Sequence, residues 1–253
     1  VARTIVWITG ATQGIGQALA RSVPYPDARV ICIARRQHPD FETVRADLTD
    51  PSSWAQIVAH LTHELAAFDG ERAVLVHNAN YGGPVGAAGC LDPAEQRKQV
   101  YANVAAPLVL GDGFLRACDP RFESGLVMIS SSTARYPMEG FAVYGAAKAA
   151  MEQWVRAVRA ERRRLGTGPW VVAVRPGFVA TESVLATQER FERSGEDYPG
   201  RAAVVAALEA GQYLTPEQSA REIWARLPPE PDGRNVLYVG APAEGAVVDA
   251  TPA

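Results

Sequence analysis

Short runs rich in β-branched residues recur from one end of this chain to the other: "TIVWIT", "RVICIA", "AVLVHN", "GLVMIS", "VVAVRP" and "NVLYVG". Longer amphipathic stretches lie between them, near 15–22, 52–67, 93–117, 142–165 and 216–226. The short runs are apolar almost throughout instead of at every second position, which suits strands buried on both faces of a parallel sheet. The pattern predicts a doubly wound, Rossmann-type α/β fold with helices on both faces of the sheet. With 253 residues, 47% of them hydrophobic, the chain has the size of a single domain, 1–253, with a substantial core. Region 178–213 breaks the alternation: it is charged, contains "ERFERSGEDYPGR" and carries no strand signal. Following the fifth run, it is expected to form a lid or substrate loop above the carboxyl edge of the sheet.

Charge and cysteine usage narrow the function classes. The formal net charge is -3 and no block of like charge reaches five or six residues, so neither a nucleic-acid footprint nor an acidic tail is expected. Cys32, Cys90 and Cys118 are odd in number and widely spaced, which fits neither a disulfide framework nor a metal site. The first residues lack the plan of a signal peptide, and no apolar run approaches the ~18 residues of a membrane span. A cytoplasmic protein with no membrane partner is the expectation. "HLTHE" places His60 and His63 one helical turn apart beside Glu64, but this is not the H-E-x-x-H order of a zinc site, and no metal is expected.

Two features point to chemistry. "TGATQGIG", at the end of the first strand, carries Gly10, Gly14 and Gly16; glycines at a strand-to-helix turn let the backbone approach a pyrophosphate at the helix N-terminus. "VYGAAKAA" places Tyr144 and Lys148 four positions apart on one helical face. A phenol titrates near pH ~10, and a nearby cation favours its ionised form, which makes Tyr144 a candidate acid.

With both features present, the chain resembles the short-chain dehydrogenase/reductase family from the first strand to about residue 181. The "TGATQGIG" turn then implies cofactor contacts by Gly10, Thr12, Gln13, Gly14, Ile15 and Gly16. Ser131, thirteen residues before Tyr144 in "MISSSTARYPMEGFAVYGAAK", stands where that family keeps its catalytic serine, and Asn103 in "YANVAAP" matches its asparagine on the central helix. "RPGFVAT" resembles the segment whose Pro176, Gly177, Val179 and Thr181 meet the nicotinamide end of a cofactor. Asp47 and Leu48 in "RADLTD" fall at the adenine end, and Asn78 and Ala79 in "HNAN" near the cofactor ribose. Taken singly, Ser131 also reads as a strand-end turn residue, Asn103 as a helix-interior amide and Asp47 as a helix cap. Two departures stand out. Asn80 occupies a position where the family commonly has glycine, although asparagine tolerates left-handed backbone angles. Between "ARR" and "ADLTD" too few residues remain for a helix, so the third crossover is expected to be trimmed.

The resemblance implies hydride transfer between a nicotinamide and a small-molecule carbonyl or alcohol. Tyr144 would be general acid/base, Ser131 would bind the substrate oxygen, Lys148 would lower the tyrosine pKa and hold the ribose, and Asn103 would hold a relay water. The second strand ends in Ala34, Arg35 and Arg36 with no acid until Asp40. Arginine there suits a 2′-phosphate, so NADP(H) is preferred and NAD(H) remains possible. Arg36 also reads as a solvated loop charge, and Gln13 supplies no second cation. Tyr136, Met138, Phe141 and Phe178 are the substrate-pocket candidates; they suit an apolar or ring-bearing ketone or diketone. The stretch "GQYLTPEQSAREIW" is similar to the sepiapterin-reductase and benzil-reductase branch. The family pairs its long helices across a two-fold axis, which implies a homodimer or homotetramer; Ala149, Ala150, Val155 and Ala157 would permit close packing. The alternative from another class is a non-catalytic nucleotide-binding regulator of the same fold.

Overall fold

All six anticipated strands form, and a seventh joins them. The computed structural model describes residues 3–240 apart from 196, 199, 231 and 232. Its strands are β1 (Thr4–Thr9), β2 (Ala28–Ala34), β3 (Glu42–Arg45), β4 (Arg72–His77), β5 (Glu123–Ile129), β6 (Trp170–Arg175) and β7 (Val236–Tyr238). They make one parallel sheet in the order β3-β2-β1-β4-β5-β6-β7. The helices are α1 (Gly14–Arg21), α2 (Pro51–Ala67), α3 (Pro93–Val100), α4 (Ala106–Ala117), α5 (Ala142–Leu165), α6 (Glu182–Ser194), α7 (Arg201–Glu209) and α8 (Pro216–Trp224).

Successive side chains of a strand point to opposite faces, and here both faces are apolar. Ile5 and Trp7 of β1 belong to the core under α2, α4 and α5, together with Leu61, Leu110, Phe114, Met151 and Val155. Val6 and Ile8 belong to the opposite core, with Leu19 of α1 and Ile223 and Trp224 of α8. The sequence winds outward from β1 to β3 and then restarts at β4 on the other side of β1. In such a sheet, the crevice above the carboxyl ends of the two central strands takes the ligand.

β3 escaped the sequence reading because "ETVR" is four residues long and no more than half-buried at the sheet edge. The trimmed crossover is as expected: no helix lies between β2 and β3. The backbone amide of His38 donates to Thr43 Oγ1 at 2.9 Å, and that of Asp40 to His38 Nδ1 at 3.0 Å. Region 178–213 is corrected: it folds mostly as α6 and α7 instead of as a loop, with an isolated bridge from Val179 to Leu214 at its base. His60 accepts a hydrogen bond from the Trp7 indole at 3.2 Å.

The predicted helix 93–117 is interrupted. Residues Tyr101–Ala105 form a π-helical turn between α3 and α4. Pro107 lies just past it and has no N–H to close the ordinary bond to the Asn103 carbonyl. Such widened turns are frequent at functional sites, and this one carries Asn103.

Candidate active site

The floor of the crevice begins at the glycine turn. Gly10 has φ +68°, and a Cβ there would lie 2.8 Å from the Cα of Ala79; a Cβ on Gly16 would lie 2.3 Å from the Gly10 carbonyl oxygen. Only glycine permits this contact between the β1 turn and the β4 loop. Thr9 Oγ1 accepts from the backbone amides of Asn78 and Ala79 at 3.0 and 2.9 Å, while Asn78 Nδ2 donates to the Thr9 and Gly10 carbonyls at 3.2 and 3.3 Å. No side chain caps α1, so its first-turn N–H groups face the cleft as an anion site. The tolerance of Asn80 for left-handed angles is not used: no described non-glycine residue has positive φ, and this loop places that conformation at Gly83.

The catalytic candidates converge at the end of β5 and the start of α5. Ser131 caps a short 3-10 turn, and Tyr144, in the first turn of α5, is hydrogen-bonded to it. Lys148 is 3% exposed. Its Nζ stands 5.5 Å from the Tyr144 ring centroid and donates to the Ile129 carbonyl at 2.9 Å. Burial pushes the Lys148 pKa down to about 8. Burial also raises the Tyr144 pKa, with the Ser131 hydrogen bond opposing it. Burial acts in opposite directions on the two because it penalises the charged form of each group.

Beneath these groups lies a buried network that the sequence reading missed. Glu152 accepts from Ser130 Oγ at 2.7 Å and from Arg175 Nε and Nη2, each at 2.6 Å. Arg175 also donates to the Tyr238 hydroxyl. Three segments are tied together: the strand end before Ser131, the Tyr144 helix and the strand before Pro176. The signal available was spacing, since 144, 148 and 152 repeat every fourth residue on one helical face. Asn103 is buried at the π turn, its Oδ1 accepting from the Tyr81 amide and its Nδ2 donating to the Tyr81 carbonyl, both at 2.8 Å. The asparagine therefore clamps the loop after β4.

His77 is a second missed residue. It is 1% exposed, and its Nδ1 lies 3.4 Å from Thr9 Oγ1. Both acceptor sites of that hydroxyl are taken by backbone amides, so it donates to Nδ1, and the neutral ring carries its proton on Nε2. Burial, with the nearby Lys148 charge, pushes the His77 pKa down to about 3.

All the residues predicted to hold a dinucleotide, except Gly16, line one cleft of about 700 Å³. Gly16 acts through packing instead, and Asn103 stands behind the wall. Arg35 and Arg36 both line the cleft, and Arg36 donates to Gln13 Oε1 at 3.1 Å. Asp47 lines the cleft too and accepts from the Thr49 amide and hydroxyl at 3.0 and 2.8 Å; the cap of α2 is Asp50. Of the substrate-pocket candidates, Met138, Phe141 and Phe178 line the cleft, whereas Tyr136 does not. The 3-10 turn at Ser132–Ala134 redirects the chain, with the Tyr136 amide bonded to the Ser132 carbonyl. Tyr198, from the segment between α6 and α7, also lines the cleft and was not singled out from sequence. A cleft lined by a glycine turn and an open helix N-terminus fits a nicotinamide dinucleotide.

Residues 4–191 match the family model described as short chain dehydrogenase. A benzil reductase ((S)-benzoin forming) from Bacillus cereus is 25% identical over 230 residues, covering 86% of this chain and 91% of that protein. An NADP-dependent 3-hydroxy acid dehydrogenase from Salmonella typhi is 27% identical over 241 residues, covering 88% of this chain and 90% of that one. A solved structure of actinorhodin polyketide ketoreductase with NADPH superposes with a TM-score of 0.77 at 24% identity, covering 94% of this chain and 95% of that one. At that identity the likeness is one of fold.

Proposed function

This chain belongs to the short-chain dehydrogenase family, and from that premise we propose that it is an NADPH-dependent reductase of apolar or ring-bearing ketones and diketones. Membership makes it an oxidoreductase of hydroxyl and carbonyl groups that binds a nicotinamide dinucleotide. The observation that carries the finer reading is the convergence of Ser131, Tyr144 and Lys148 on one wall of the cleft, with Arg35 and Arg36 lining another part of it.

When bound in the cleft, a reduced nicotinamide would supply the hydride that the carbonyl carbon takes up. Tyr144 donates its proton to the carbonyl oxygen, and Ser131 hydrogen-bonds the same oxygen as charge develops on it. A phenol held up by burial is a protonated donor at neutral pH, which suits the reductive direction. Lys148 would hold the cofactor ribose and, while protonated, steady the emerging phenolate. Asn103 fixes the loop after β4 through Tyr81. Glu152 and Arg175 keep the Ser131 strand end and the Tyr144 helix in register.

Met138, Phe141 and Phe178 support an apolar substrate, and the benzil reductase relative is consistent with a diketone. The substrate region is 178–213, with α6 and α7 as a lid. A cytoplasmic homodimer or homotetramer is part of the same proposal. Val100, Tyr101 and Val109 are exposed apolar residues along α3, the π turn and α4 and support an interface there, while Val155 of α5 is buried in its own core. No helix among the described residues is long and apolar enough to cross a membrane. The test is consumption of NADPH against a panel of ketones, diketones and aldehydes. Turnover of several apolar carbonyl compounds is expected; binding of NADPH with turnover of none overturns the reading in favour of a nucleotide-binding regulator.

A further inference from the structure

We propose that Tyr198 is the residue by which this chain selects a substrate with an aromatic ring beside the reacting carbonyl, an inference that rests on the carbonyl-reductase reading above. Tyr198 is 4% exposed and lines the cleft from the lid. Its ring stands edge-on to Phe141, with centroids 5.5 Å apart, and Phe141 stands edge-on to Tyr144 at 6.3 Å. Tyr198 is therefore the second ring out from the proposed acid. On its other side it tilts against Phe191 of α6 at 4.8 Å, and its hydroxyl accepts a hydrogen bond from Gln188 Nε2 at 2.9 Å. Two residues further on, a Cβ on Gly200 would stand 3.5 Å from Met138 Cε, so the lid rests on the turn that leads into α5.

Aromatic rings attract one another edge-to-face at these separations because the ring edge is positive and the face negative. A ring entering beside Tyr144 meets a wall of the same kind, with Phe141 close to the reacting atoms and Tyr198 beyond it. Of the two, Tyr198 is the one suited to selection without chemistry. Phe141 directly precedes α5 and packs on Tyr144, so changing it disturbs the acid. Tyr198 reaches Tyr144 only through Phe141, and it is fixed in place by Gln188 and Phe191.

The experiment compares kcat/KM for 1-phenyl-1,2-propanedione and for 2,3-butanedione with NADPH, in the wild type and in Tyr198→Ala, Tyr198→Leu and Tyr198→Phe. The wild type is expected to prefer the phenyl diketone. Tyr198→Ala is expected to lower that preference about tenfold while butanedione stays within about threefold of wild type, and Tyr198→Phe is expected to keep the preference. Should the alanine variant fail to fold by circular dichroism, Tyr198→Leu carries the test, because it keeps apolar bulk without the ring. A preference unchanged in the alanine or leucine variant, an equal loss for both diketones, or a wild type that prefers butanedione overturns the inference while leaving the reductase reading standing. A wild type that reduces neither diketone nor any other carbonyl compound overturns both.

Discussion

The cleft is built in two ways. Around Tyr144, the charged groups are buried and held: Lys148, Glu152 and Arg175 are each 3% exposed or less, and the pair of Glu152 and Arg175 is bidentate. Around Arg35, the side chains are exposed, and the contact that orients Arg36 is a single hydrogen bond to an equally exposed glutamine. Charges held away from water interact strongly and are little screened, while exposed ones are weakened by solvent and salt. Substitutions at the first part should change whether the reaction runs, and those at the second only which cofactor is favoured.

The largest effect is expected from Tyr144→Phe, which deletes the proton and keeps the ring. A positioned general acid contributes roughly a hundredfold or more, so kcat should fall at least that far with cofactor affinity nearly intact. Residual turnover within about tenfold of wild type removes Tyr144 as the acid and leaves its burial a matter of packing. Next comes coenzyme choice. An arginine facing a 2′-phosphate should favour NADPH over NADH by about tenfold to a hundredfold in kcat/KM. Arg35→Asp should reverse the order by removing the cation and offering the ribose an acceptor. Equal use of both cofactors by the wild type assigns Arg35 no phosphate.

These two predictions also mark how far the sequence was legible. The sheet was read from six strands because each is a continuous apolar run; β3, short and half-exposed at the edge, gave no such signal. Ser131, Tyr144 and Lys148 were visible as motifs, and their convergence follows from the strand order. The supporting layer was not visible. Glu152 and Arg175 lie 23 residues apart and meet only because β6 lies beside β5 under α5. Likewise the π turn at Asn103 depends on what Pro107 cannot donate, which a helical periodicity does not register. The helices of 178–213 were not read from the sequence because α6 is charged, while α7 is a short, separate run of small apolar residues beyond Gly195 and Gly200.

His77 offers a test of the buried region that does not involve turnover. Its pKa in the folded protein, about 3, lies below the unfolded value of 6.5. Folding therefore keeps it neutral where the unfolded chain takes up a proton. The stability it leaves intact above pH 6.5 is lost progressively as pH falls from there to about 3. At pH 5 the loss should be of the order of 1 to 2 kcal/mol. His77→Asn keeps an acceptor for Thr9 but cannot charge, so urea melts at pH 7 and pH 5 should differ less in the variant than in the wild type. A wild type whose loss between those pH values matches the variant's means that water reaches the ring and the site is not dry.

The smallest effect is expected at Arg36, and it bears most directly on the contrast between the two parts of the cleft. Its guanidinium donates to Gln13 Oε1 at 3.1 Å, and Gln13 directly precedes the open N-terminus of α1. Arg36 is thereby held beside the open helix N-terminus, where the proposed dinucleotide would present its phosphates, while staying exposed. An exposed, singly bonded cation of this kind contributes little, because solvent screens it and the long side chain must be ordered to act. Arg36→Ala should therefore weaken NADPH binding only about threefold, and the difference should shrink as salt rises from about 50 mM to 500 mM. Gln13→Ala should produce a similar, smaller loss, since it frees the guanidinium without removing it. Titration calorimetry at the two salt concentrations reads both variants. A loss at Arg36 as large as that at Arg35, persisting at high salt, would mean that the cofactor itself excludes water from this part of the cleft, and the contrast would then belong to the free protein alone.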